Sequence, residues 1–148
     1  MASGAFEANL QCLPGLVASA DLTGKNYLFV KEDSNGRVKV CDTAGEPPLG
    51  ILQNQPGALY RAASVGFAGV SKCVAGAAIA KGQYVATGAD GKAYPVTKSS
   101  TNTSDAGAAS DALVGGFAIG RAFTPAVNAG DIISVLITHS GAVDTTAA

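Results

Sequence analysis

Twice along this chain the same local pattern recurs. A glycine-hinged apolar run is followed by an Ala/Gly-rich stretch and then by a tight turn, reading A-x-x-K-G-Q or A-x-x-A-G-D, that hands over to another apolar run. Pro48-Leu49-Gly50-Ile51-Leu52 is answered by Leu113-Val114-Gly115-Gly116-Phe117-Ala118-Ile119, and Ala77 to Val85 by Thr124 to Ile133. Apolar runs this short, broken by glycine at roughly ten-residue intervals, cannot supply the 3.6-residue stripe of a helix over several turns. They suit short strands joined by tight turns, so the expected fold class is all-β, a small sandwich or barrel.

Two hairpins are readable locally. Tyr27-Leu28-Phe29-Val30-Lys31 and Arg37-Val38-Lys39-Val40-Cys41 flank Asp33-Ser34-Asn35-Gly36, and Gln83 to Thr87 and Lys92 to Val96 flank Gly88-Ala89-Asp90-Gly91. Asn-Gly and Asp-Gly are the strongest short-range hairpin signals, because both residues tolerate positive φ. Further strands are expected over Leu49–Gln53, Ala63–Gly69 with Ser71–Val74 (or one bent strand), Leu113–Phe123 and Asp131–Thr138. Gly66 and Gly69 mark bulges or close backbone approach.

The flanks read differently. Residues 1–26 carry Phe6, Leu10, Leu13, Leu16 and Val17 at spacings that approach one helical face, but Pro14 and Gly15 interrupt it. This segment is expected to be an irregular N-terminal arm that either covers the end of the fold or clasps a neighbouring subunit. Phe6, Leu10, Leu13, Leu16 and Val17 are the candidate contact residues. Residues 27–140 form the β-rich domain. Within it, residues 97–111 hold only small and polar side chains and are expected to be a mobile loop; residues 141–148 are expected to fray.

Composition narrows the function classes. Only 14% of residues are charged, 28 are Ala and 19 Gly, and the net charge is −1. So many small side chains give little core volume per residue, which favours close backbone packing or subunit association. No cluster of Lys or Arg exists to displace phosphate counterions, which argues against nucleic-acid binding. No 18-residue apolar run and no basic-then-apolar leader is present, so synthesis in the cytoplasm without membrane insertion is expected. Cys12, Cys41 and Cys73 are odd in number and widely spaced. They are expected to be free thiols in small apolar roles.

A search for chemistry finds no constellation. His139 is the single histidine, no G-x-S-x-G occurs, and Gly88-Ala89-Asp90-Gly91-Lys92 lacks the spacing of a phosphate loop. The carboxylates fall mostly in turns. No catalytic, cofactor-binding or metal-binding residue is assigned, and the chain is not expected to be an enzyme. Gly82-Gln83 and Gly130-Asp131 read as turn geometry, His139 as an exposed strand-end residue, and the aromatics Tyr27, Phe29, Tyr60, Phe67, Tyr84, Tyr94, Phe117 and Phe123 as core.

Several stretches together resemble the small capsid decoration, or head cement, proteins of tailed bacteriophages. They are Leu49 to Asn54, Ala63 to Lys72, Gly76 to Val85, Ala89 to Ala93, Val114 to Ala122 and Ala129 to Val135. The resemblance covers roughly residues 27–137; the arm and the 97–111 insertion depart from the shorter family pattern. It implies a virion protein on the exterior of the head that binds the major capsid protein, assembles as a homotrimer, and stabilises contacts between shell subunits without cofactor, nucleic acid or membrane. The alternative is a tail or fibre component that binds a host receptor or glycan.

Overall fold

The computed structural model describes residues 4–96 and 117–142, and every regular element among them is a strand. In chain order these are β1 (Ala8–Leu13), β2 (Phe29–Glu32), β3 (Val38–Val40), β4 (Gly50–Leu52), β5 (Val65–Val74), β6 (Tyr84–Thr87), β7 (Ala93–Pro95), β8 (Phe117–Ala122) and β9 (Ile132–Ala142). They form a curled antiparallel half-barrel of order β3-β2-β4-β5-β9-β8-β6-β7, with β1 added to β5. The all-β expectation holds. The 97–111 loop and most of the 141–148 tail lie outside the described residues, and β9 continues through Ala142.

Both expected hairpins are present, and their two turns have the same hydrogen-bond pattern. Asp33 N–H donates to Arg37 O and Gly36 N–H to Asp33 O; Gly88 N–H donates to Lys92 O and Gly91 N–H to Gly88 O. Only Gly36 (φ 73°) and Gly91 (φ 75°) adopt positive φ, not Asn35 or Asp90. The loops are therefore longer than the two-residue turn that Asn-Gly and Asp-Gly suggest. The acids act through their side chains instead: Asp33 Oδ1 accepts from Asn35 and Arg37 N–H, and Asp90 Oδ1 from Lys92 N–H.

The repeated turn is a paired structure. Ile79 and Ala126 exchange both backbone hydrogen bonds, at 3.0 and 2.9 Å. Ala75, following β5, bonds to the Gly130–Asp131 turn at 2.7 and 2.8 Å, and Ala122, ending β8, bonds to the Gly82–Gln83 turn at 2.7 and 2.9 Å. Each strand end thus clamps the other copy's turn, around a pseudo-two-fold through the Ile79–Ala126 pair. Gly82 (φ 83°) and Gly130 (φ 92°) supply the left-handed residue. Gln83 Oε1 accepts from Ala80 N–H, and Asp131 Oδ2 from Val127 and Asn128 N–H. The first half of the sequence repeat does not carry over: β4 leads into β5, and it is β5 that matches β8.

The curl is closed by the second hairpin. Phe29 N–H donates to Gly91 O at 2.7 Å, Gly45 N–H to Thr87 O at 2.9 Å, and Gly76 N–H to Ala93 O at 2.8 Å. Inside lies the larger core, with Phe29, Ile51, Cys73, Ile79, Val85, Ile119, Ile133 and Val135 fully enclosed or nearly so. A smaller core joins Ala18, Leu22, Val30, Val38, Leu52, Ala63 and Val65, with Leu16 and Leu49 against it.

The N-terminal segment is thus built into the fold. β1 pairs with β5 through two register shifts, and Asn9 (φ 48°) crosses Gly69 (φ 96°), where a Cβ would collide with the Asn9 backbone. Leu16, Ala18 and Leu22 complete the smaller core. Cys41 and Cys73 are buried and Cys12 is exposed; all three thiols are free.

Candidate interaction surface

Antiparallel pairing places directly opposed residues on one face of a sheet. The registers align Ala8 with Val70, Val70 with Leu136, Leu136 with Arg121, and Arg121 with Tyr84, so one outward row crosses β1, β5, β9, β8 and β6. Along β9 the alternation sends Ile133, Val135 and Ile137 into the core and Ile132 and Leu136 outward, while Ser134, on the same side of the strand, is fully buried. Among the described residues, six of the eight exposed large apolar side chains lie on or beside this face: Phe6, Tyr84, Phe123, Val127, Ile132 and Leu136. Clustering of this kind, rather than single scattered residues, marks an interaction surface.

The face is cationic as well as apolar. The Arg121 guanidinium stacks on the Tyr84 ring at 5.4 Å while its Nε donates to Gly82 O at 3.1 Å. Lys81 Nζ lies 5.8 Å from the centre of the Phe123 ring, and Lys72 Nζ 5.9 Å from that of Tyr27. Between them Lys81, Gly82, Arg121, Ala122, Phe123 and Leu136 line an open cleft of about 240 Å³. The arm borders it. Phe6 N–H donates to Ser134 Oγ at 2.7 Å, Ser134 Oγ–H donates back to Phe6 O at 2.8 Å, and the Phe6 and Phe123 rings meet edge to face at 5.4 Å.

A second exposed feature stands at the other core. Leu59 and Tyr60 project from the loop between β4 and β5, Tyr60 with 65% of its surface exposed and its backbone left-handed at φ 66°. The loop is braced on both sides: Tyr60 N–H donates to Ala18 O, Ala18 N–H to Arg61 O, and Asn54 Nδ2 to Ala62 O. Arg37 stacks on the Tyr60 ring at 5.7 Å.

Near β2 and β3 the charges are paired. Lys31 Nζ bonds Asp42 Oδ1 at 2.5 Å and Glu46 Oε2 at 2.8 Å, and Lys39 Nζ bonds Asp42 Oδ2 at 2.7 Å. The Lys31 and Lys39 bonds hold Asp42 well below the usual carboxylate range. For Glu46, partial burial pulls upward, but the Lys31 bond and the Thr43 and Asp42 N–H groups outweigh it and leave the carboxyl lowered. Among the described residues no three His, Cys, Asp or Glu side chains are grouped to hold a metal ion.

The five candidate contact residues do not form one surface. Phe6 lies on the outer face; Leu10 is half-buried against the larger core over Gly66; Leu13 pairs with Val65; Leu16 packs on the smaller core; Val17 bridges to Ala62. The expectation that the aromatics are core holds fully only for Phe29. Tyr60, Tyr84 and Phe123 are exposed, and Tyr27, Phe67, Tyr94 and Phe117 are half-buried. His139 is exposed, but sits in a β9 bulge at φ 45° with Nε2 donating to Phe67 O at 2.9 Å. Sequence reasoning missed Lys81, Arg121 and Leu136. The available signal was a cation beside an aromatic at the cross-strand pair Tyr84–Arg121, which needs the register to be known.

No protein-family model matches this chain, and no curated protein matches it. Among solved structures it is similar to the N base of the head fiber protein gp8.5 of bacteriophage phi29. The similarity has a TM-score of 0.55 at 19% identity and covers 85% of this chain and 92% of that one. At that identity the likeness is one of fold.

Proposed function

We propose that this chain is a structural protein of a tailed-phage head, attached to the outside of the shell as a decoration or cement protein. The observation that carries the reading is the fold shared, over most of both chains, with the base of a head fiber. Two further features support it: the sequence stretches that resemble head cement proteins fall on or beside β4 to β9, and the surface presents an apolar and cationic face. As a homotrimer around a shell symmetry axis, each copy would bury its outer face against a different shell subunit. Many modest, symmetric contacts then add up to mechanical reinforcement of the shell. The function is mechanical and needs no reactive group.

The head-fiber likeness also favours a second reading, in which the domain anchors or forms part of a fibre that binds a host receptor or glycan. Heads assembled without the protein separate the two. Cement function requires them to release DNA at a lower temperature than decorated heads, and added protein to restore the difference. Equal robustness with reduced adsorption to cells would support the fibre reading.

A further inference from the structure

Lys31, Lys39, Arg37 and Lys92 each face a carboxylate, whereas Lys81 and Arg121, like Lys25, Arg61 and Lys72, have none within ion-pair distance among the described residues, and only Lys81 and Arg121 line the cleft. Both lie against aromatic rings and line one cleft together with Ala122 and Leu136. The Arg121 Nε bond to Gly82 O orients the guanidinium plane, and its terminal nitrogens have no hydrogen-bond partner among the described residues. A fixed guanidinium fork is matched to a carboxylate, and Lys81 adds a second positive charge to the same cleft.

We propose that this cleft docks an acidic segment of the shell protein, with a carboxylate between Lys81 and Arg121 and an apolar side chain laid on Phe123 and Leu136. The proposal rests on the shell-binding reading above and names the face and the partner chemistry. The cleft volume suits one or two side chains rather than a cofactor. A phosphate or sulfate polymer would satisfy the cations and leave Phe123, Leu136 and Phe6 wet. A peptide alternating acidic and apolar residues satisfies both, so charge fixes the orientation while apolar burial supplies the affinity.

The test uses the full chain and two kinds of probe. An eight-residue peptide alternating glutamate and leucine should bind, more weakly as salt rises. A lysine–leucine counterpart and dextran sulfate should bind at least tenfold more weakly. Lys81→Glu and Arg121→Glu should each weaken the acidic peptide about tenfold or more, while Arg61→Glu, an exposed cation outside the face, should leave it within twofold. Lys81 donates no backbone-directed bond, so its variant remains informative if Arg121→Glu perturbs the turn. Equal binding of the two peptides, tighter binding of dextran sulfate, or an equal effect of Arg61→Glu would overturn the proposal. Undecorated heads supply the second arm. Wild-type binding lost in both cleft variants supports docking, and binding unchanged in both places the shell contact elsewhere and overturns it. If wild type itself fails to bind heads while the peptide discrimination persists, the shell-binding reading falls and the acidic-segment cleft stands.

Discussion

Cys41 and Cys73 show what burial does to a reactive group. Removal from water pushes the Cys41 thiol up to about 12, with Glu46 adding to the rise, and the enclosed Cys73 thiol is raised as well. The thiolate is the reactive form, so both should resist alkylation in the native protein at pH 8. Exposed Cys12 should react alone, and mass spectrometry should find one adduct natively and three after unfolding. Three native adducts would mean that the larger core opens readily. The sequence marked these cysteines as free and apolar. It could not distinguish Cys12, whose exposure depends on which face of β1 turns away from the core once its edge is paired with β5. The same limit hid Leu136: Ile132-Ile133-Ser134-Val135-Leu136-Ile137 reads as one apolar run, and only the register shows that alternate members face outward.

The elements differ in what holds them. The β2–β3 end depends on ionised carboxylates, since Asp33, Asp42 and Glu46 are all held below their ordinary values. A group whose folded pKa is lowered stabilises the protein above its unfolded pKa, and that contribution disappears as pH falls toward the folded one. Melting temperature should therefore be nearly flat from pH 7 to about pH 5 and fall below the ordinary carboxylate values of 3.8 and 4.5. Glu46→Gln should reduce the slope, and a melting temperature that rises on acidification would contradict the account. The N-terminal segment answers to apolar burial instead. Leu22 is 5% exposed in the smaller core, so Leu22→Ala should cost about 2–5 kcal/mol by chemical denaturation. Removing residues 1–26 should uncover Val30, Val38, Leu52 and Val65 and destabilise the domain, whereas removing residues 1–7 should loosen only the Phe6 contact. Pro14 and Gly15 correctly argued against a helix here, but no local pattern in 1–26 announced pairing with β5, because that pairing is a long-range match. The hairpins were readable for the opposite reason, their signals being local.

The whole molecule is a sheet curled on itself and fastened at two places, the hairpin tip at Gly91 and the paired turns around Ile79 and Ala126. The sequence repeat gave away the existence of the turns and not their mutual pairing, since two similar motifs more than forty residues apart say nothing of contact. Small residues at Ala75, Ala93, Ala118, Ala122 and Ala126 let these segments approach closely while burying little side chain per residue. Among the described residues the fold still exposes Phe6, Tyr84, Phe123, Val127, Ile132 and Leu136 on or beside its outer face, and in the function proposed above a shell neighbour covers them. The most direct measurement of that claim is a reconstruction of intact particles by electron cryomicroscopy, with and without the protein. The account predicts density on the outer surface of the head at repeated symmetric positions, the β6-β8-β9 face turned toward the shell, and its disappearance in particles lacking the protein. Density confined to the tail, or identical heads in both preparations, would contradict it.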